Sequence, residues 1–85
     1  MSSNIVITTK DIVNRVVPIL HVIHDDEGDW QVLGGQSVTE ADAMVISLDQ
    51  VLQLDASVKE VTNIPTGFQA WRSTAAAEWQ IGRYD

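Results

Sequence analysis

The stretch HDDEGDW, residues 24–30, lies where an apolar, β-branched run over residues 16–23 gives way to a second apolar run, WQVL. Four acids and a glycine fill the short gap between the two runs. A link this tight, with Gly28 free to take a positive φ, makes a β-hairpin of them. Pro18 stops a helix from running through the first run and holds Val17 extended, so the first strand is expected to begin near Pro18. Within that strand Ile19, His21 and Ile23 share one face, and Leu20 and Val22 take the other. Apolar residues on both faces predict a central strand.

The remaining elements follow from caps and spacing. Thr9 is a candidate cap for a short helix bearing Ile12, Val13 and Val16 on one face, with Asp11 favoured at its positive end. Residues 34–42 are polar and glycine-bearing, a loop, and AMVIS, Ala43–Ser47, is a third strand. Ser47 caps a helix in which Leu48, Val51 and Leu52, with Leu54 beside them, form a buried stripe. Asp55 caps a further turn carrying Val58 and Val61. NIPTG, residues 63–67, is a turn, and residues 68–72 form a last strand or extended segment. Residues 74–79 can start a helical turn but carry no convincing apolar stripe.

The expected fold class is α+β, a small antiparallel sheet of three to four strands packed against two or three short helices. A chain of 85 residues has room for one core, so residues 1–85 read as a single domain, with residues 1–8 and 80–85 a flexible start and tail. There is no cysteine, which excludes disulfides, thiolate metal sites and cysteine nucleophiles and leaves packing to hold the core. The start lacks the basic region and long apolar run of a secretory signal, and the longest apolar stretch is too short to span a membrane. A cytoplasmic, soluble protein is expected.

The formal charge of −7 is concentrated in the middle of the chain. Asp25, Asp26, Glu27, Asp29, Glu40, Asp42, Asp49, Asp55 and Glu60 face only Lys59 within residues 25–60. Such a field repels phosphate backbones and steers a basic partner toward it, so the expected partner is a protein and not a nucleic acid. An acidic surface also simply keeps a small protein soluble.

As a metal site the hairpin acids offer oxygen donors, but their spacing is not that of a calcium loop. His21 and His24, three apart on a strand, face opposite ways and do not suit one ion. Acids crowded on a hairpin tip are normally hydrated and not tuned for acid–base work, no serine stands in a nucleophile elbow, and Gly34-Gly35 lacks the lysine of a phosphate loop. No catalytic, metal or cofactor residue is therefore assigned. Trp30 is expected in the core, Trp71 is open between core and interface, and Arg72 is expected to pair with an acid of the hairpin. Tryptophan and arginine also dominate many interfaces. The candidate partner-binding residues are Asp25, Asp26, Glu27, Asp29, Glu40, Asp42, Trp71 and Arg72.

Several short motifs, taken in order, resemble one family. H-D-x-x-G-D-W-Q-V-L-G over residues 24–34, V-I-S-L over 45–48, Asp55, I-P-T-G-F-Q-A-W-R over 64–72 and a final Trp79 look like a family of small bacterial domains. That family was first described as a domain of unknown function and later grouped, by gene neighbourhood, with immunity proteins of polymorphic toxin systems. The resemblance runs roughly from Pro18 to Trp79. It departs from the family pattern at Ala56, where a proline often follows the aspartate, and in the alanine-rich stretch before Trp79.

What the resemblance implies is a non-catalytic protein, without cofactor, that binds and neutralises a cognate toxin. The acidic middle suits a basic toxin such as a nuclease. The alternative is a housekeeping interaction or regulatory domain, a homodimer in one form, whose partner is not a toxin. A metal-dependent enzyme using His24 and the neighbouring acids ranks behind both.

Overall fold

The computed structural model describes residues 5–35 and 40–84. Its elements are β1 (Ile5–Thr9), α1 (Lys10–Val13), β2 (His21–His24), β3 (Trp30–Leu33), a 3₁₀ turn (Glu40–Asp42), β4 (Ala43–Ser47), α2 (Leu48–Leu54), a 3₁₀ helix (Ala56–Val61), β5 (Phe68–Trp71) and β6 (Gln80–Arg83). The fold is α+β, but the sheet has six strands in place of the expected three to four. Its order is β4-β1-β3-β2-β5-β6. It is also mixed, because β1 runs parallel to β3 while every other neighbouring pair is antiparallel.

The two outermost segments of the chain, expected to be a flexible start and tail, supply additional strands. Ile5–Thr9 alternates cleanly, with Val6 and Thr8 buried and Ile5 and Ile7 exposed. That is the period of a strand with one covered face. The Thr8 hydroxyl donates to the Val32 carbonyl at 2.8 Å, which ties β1 to β3 from the covered side. QIGR, Gln80–Arg83, pairs along β5. Residues 1–4 and 85 of the expected start and tail lie outside the described residues, as do residues 36–39 of the expected loop.

The hairpin forms as expected, with β2 in the interior of the sheet between β3 and β5. Val22 and Ile23 point to opposite faces and are both buried. Pairing begins at Leu20, whose amide donates to the Leu33 carbonyl, and not at Pro18. The residues before it are used to end α1. Arg15 adopts φ 62°, its amide donates to the Ile12 carbonyl, and the Val16 amide donates to the Asp11 carbonyl. This pair of bonds is a Schellman closure, made here with arginine in place of the usual glycine. The Arg15 guanidinium then reaches the carbonyls of Gln53 and Leu54 at the end of α2.

Thr9 caps α1 and Ser47 caps α2, the latter with a full capping box in which Gln50 returns a bond to the Ser47 amide. Asp55 caps the 3₁₀ helix through the Ser57 amide. Residues 74–77 close in a turn without becoming a helix. Ile12 of α1, Val51 of α2 and Val58 and Val61 of the 3₁₀ helix all pack on the face that carries Val6, Val22, Val32, Ile46 and Ala70. The helices therefore cover one face of the sheet and none of them packs on the other, although Ile23 on that side is 4% exposed.

Gly67 fixes how β5 enters the sheet. It sits at φ 81°, donates to the His24 carbonyl and accepts from the Tyr84 amide. A Cβ there would lie 2.7 Å from an Asp26 carboxylate oxygen. That carboxylate is exposed and can move, so the left-handed backbone is the dominant obstacle. Gly67→Ala is expected to destabilise the fold by about 1–2 kcal/mol in urea unfolding.

Candidate functional site

The hairpin tip is built by its first acid. Gly28, at φ 88°, donates to the Asp25 carbonyl, and the Asp25 amide donates to the Asp29 carbonyl, both at 3.0 Å. This is a three-residue hairpin loop ending in a glycine bulge. The Asp25 carboxylate turns inward and accepts from the amides of Glu27 at 3.0 Å and Asp29 at 2.9 Å. Asp25 thus belongs to the turn. Asp26, Glu27 and Asp29 are exposed, and their carboxylates meet no hydrogen-bond donor or cation among the described residues.

Below the tip, His24 stacks on Trp30 with ring centroids 3.9 Å apart and planes 10° from parallel. Its Nδ1 lies 2.9 Å from the Ile64 carbonyl, an arrangement that requires that nitrogen to carry the proton and donate. His21 points to the other face, where its Nε2 is 2.7 Å from Gln69 Oε1. The two histidines therefore serve different faces. Trp30 packs against the core, as expected. Among the described residues no three His, Asp or Glu side chains converge as a metal-ligand group.

Arg72 does not pair with the hairpin. Its side chain is 1% exposed and meets Asp55 at 2.6 Å, at the junction of α2 and the 3₁₀ helix. Nε and Nη2 both donate to the Ile19 carbonyl, and Nη1 donates to the Ser57 hydroxyl at 2.8 Å. The guanidinium carbon lies 4.1 Å from the centroid of the Trp79 ring, whose own Nε1 donates to the Ser57 carbonyl. The planar fork is thus divided among several segments of chain. Burial alone pushes the Asp55 carboxyl up, but hydrogen bonds from Ser57 and Arg72 and the guanidinium charge outweigh it and hold the group below the ordinary aspartate value. Arg72, a candidate for partner contact, is corrected to an interior structural cation.

The acids expected to form one face are also divided. The Ile5 end of β1 lies beside Trp30 and hence beside the hairpin tip, whereas Ala43, next to the Glu40–Asp42 turn, pairs with Thr9 at the other end. At about 3.3 Å per residue, the length of β1 separates Glu40 and Asp42 from the tip by roughly 13 Å. Trp71 pairs with His21, at the end away from the tip, and lies on the uncovered face of the sheet. The structure therefore gathers Asp26, Glu27 and Asp29 and leaves Glu40, Asp42 and Trp71 apart from them.

Charge counting and motif reading both overlook the uncovered face itself. Following the register across it, Val45, Ile7, Gln31, Ile23, Gln69 and Gly82 form one row, and Ala43, Thr9, Leu33, His21, Trp71 and Gln80 the next. None of the described strand positions on this face is Asp, Glu, Lys or Arg. Val45 is 65% exposed, Ile5 52%, Trp71 42% and Ile7 40%. The face is uncharged but mixed, with Gln31, Gln69, Gln80, Thr9 and His21 set among the apolar side chains and Ile23 buried at its centre. The signal is present as alternation in IVITT and AMVIS, but only the pairing of β1 with β4 puts the two on one surface.

No family model, curated protein or solved structure matches this chain. No helix among the described residues is long and apolar enough to cross a membrane.

Proposed function

We propose that this chain is a non-catalytic protein-binding domain that acts in the cytoplasm as an immunity protein does, docking its acidic hairpin tip onto a basic patch of a cognate toxin. The observation that carries this reading is the tip itself. Asp26, Glu27 and Asp29 stand exposed, and unpaired among the described residues, on a turn whose geometry is held by Asp25 and Gly28. The backbone of the tip is held in place, so it loses little freedom on meeting a cation, and its exposed carboxylates steer the approach.

The motif supports the same division of labour. In H-D-x-x-G-D-W the two open positions are Asp26 and Glu27, which face solvent, while His24, Asp25, Gly28 and Trp30 hold the hairpin. A constant scaffold with an open tip is how one fold serves different partners. A basic nuclease is the toxin class that the charge fits best, since covering its phosphate-binding surface would block it.

The test is capture of partners from the source cell's lysate at about 50 and 300 mM salt, with bound proteins identified by mass. One basic toxin retained at low salt and released at high salt supports the proposal. A tight partner whose capture ignores salt, or one that is acidic, overturns it.

A further inference from the structure

We infer that the outer edge of β4 takes an added strand from a protein partner, an extended segment with apolar residues at alternate positions and a basic residue at each end. In drawing that strand from the basic partner proposed above, this docking rests on that reading, but its contacts are separate from the hairpin tip. β4 is the outermost strand on its side of the sheet, and among the described residues no strand lies beyond it. It pairs with β1 at five consecutive positions without a bulge, and AMVIS contains no proline and no charged residue. Sheet edges are ordinarily blunted by one of these devices or by shortness. The opposite edge, β6, is shorter and ends in Arg83.

The direction of the backbone groups follows from the cap of α2. The Ser47 amide donates to Gln50 Oε1 at 2.9 Å and is therefore spent within the cap. Ile5 and Ser47 are thus a non-hydrogen-bonded pair, and alternation along an antiparallel ladder makes Ile7 and Val45 another. Residues of such a pair turn their N–H and C=O groups away from each other. Val45 accordingly directs both groups to the open edge, where an incoming strand can exchange two hydrogen bonds with it. Its side chain, 65% exposed, stands beside Ile7, with Ile5 two residues along β1. Apolar residues on that side of the added strand have these three to pack on.

Charge selects the occupant. Asp42 immediately precedes β4 and Asp49 lies in the first turn of α2 just after it, and both are exposed. Lys10 follows Thr9 at the first of these ends, where Glu40 and Asp42 outnumber it. A second copy paired edge to edge about Val45 would set Asp42 of each chain within one residue of Asp49 of its mate, like charge against like at both ends. A strand with a lysine or arginine at each end meets acids there instead. At about 3.3 Å per residue, an extended segment of about eight residues spans β4 and both flanks.

The test is titration of the full chain, followed through its amide chemical shifts, with a blocked eight-residue peptide that has lysine at each end and valine alternating with threonine between. The expected result is saturable shifts in Ala43–Ser47 and Ile5–Thr9, with a dissociation constant of about 0.1–1 mM. The same peptide with glutamate ends should bind at least tenfold more weakly at about 50 mM salt. N-methylation of the central amides should abolish binding, because the side chains stay while the donors are lost. Val45→Pro removes an outward N–H and should weaken the lysine-ended peptide at least tenfold, whereas Val45→Thr, which keeps it, should change affinity by no more than about threefold. If Val45→Pro does not fold, the methylated peptide decides. Absence of saturable shifts overturns the inference, as do shifts centred on β6, glutamate ends that bind as well as lysine ends, or a methylated peptide that binds unimpaired. Shifts in β4 that follow protein concentration alone also overturn it, since they mark a second copy as the occupant. A peptide that docks on β4, beside a lysate that yields no basic partner, leaves the edge standing and overturns the proposed function. Capture of a basic partner through the tip, by a chain whose β4 ignores the peptide, does the reverse.

Discussion

Asp55→Ala is expected to lower stability by about 3 kcal/mol, measured by urea unfolding followed through tryptophan fluorescence. Removing one member of a buried pair leaves the other charge without its counter-ion, and Arg72 is fully interior. The lower part of the usual range applies because the Asp55 side chain keeps 24% of its surface exposed. For a chain of this length the total stability is roughly 4–13 kcal/mol, so the loss is a large share of it. The effect also carries a pH signature. The folded-state pKa of Asp55 is depressed, so its contribution is fully present above the unfolded value, about 3.9, and is lost as pH falls through the folded value. The difference between wild type and Asp55→Ala should therefore be constant above about pH 5 and shrink below pH 4. A difference that grew on acidification would contradict the assignment.

Arg72→Lys is expected to cost about 2–3 kcal/mol although the charge is kept. An ammonium can reach Asp55, but it cannot also serve the Ile19 carbonyl and the Ser57 hydroxyl while sitting over the Trp79 ring, as the guanidinium does. The acceptors left behind are buried, and that is where the cost arises. Because both substitutions break one network, Arg72→Lys combined with Asp55→Ala should cost less than the sum of the two. An additive double variant would mean that the guanidinium acts chiefly through its other contacts.

Much of the scaffold is legible in the sequence because it is written in local chemistry. The hairpin needs Gly28 and an acid able to bond back to the turn, and Thr9, Ser47 and Asp55 cap as their side chains allow. The alternation in AMVIS marks the full span of its strand, Ala43–Ser47. What escapes a sequence reading depends on partners distant along the chain. Ile5–Thr9 reads as part of a polar start, yet it is the strand that joins β4 to the hairpin. Gln80–Arg83 has no apolar alternation of its own and is a strand only because β5 offers it an edge.

The same distinction explains the candidate site. Arg72 follows an exposed tryptophan and lies near the end of an aromatic segment, a setting that suggests a surface contact. Alternation along β5 instead sends Ala70 and Arg72 to the covered side and Trp71 to the open one. Asp55, Arg72 and Trp79, three residues of the motif that suggested a family, meet in one interior cluster. The motif is thus largely a description of architecture, and of the three exposed tip acids it leaves Asp26 and Glu27 open and specifies Asp29.

The decisive measurement compares capture of the proposed basic partner at low salt by the wild-type chain and by the Asp26→Lys, Glu27→Lys, Asp29→Lys triple variant. Asp25 is kept in that variant because it holds the turn, and circular dichroism checks that the hairpin survives. Loss of the partner, with association slowed about 10- to 100-fold, is the result expected if the tip is the docking element. Capture undiminished by reversal of all three charges would show that the acidic tip serves solubility alone and that the partner binds elsewhere.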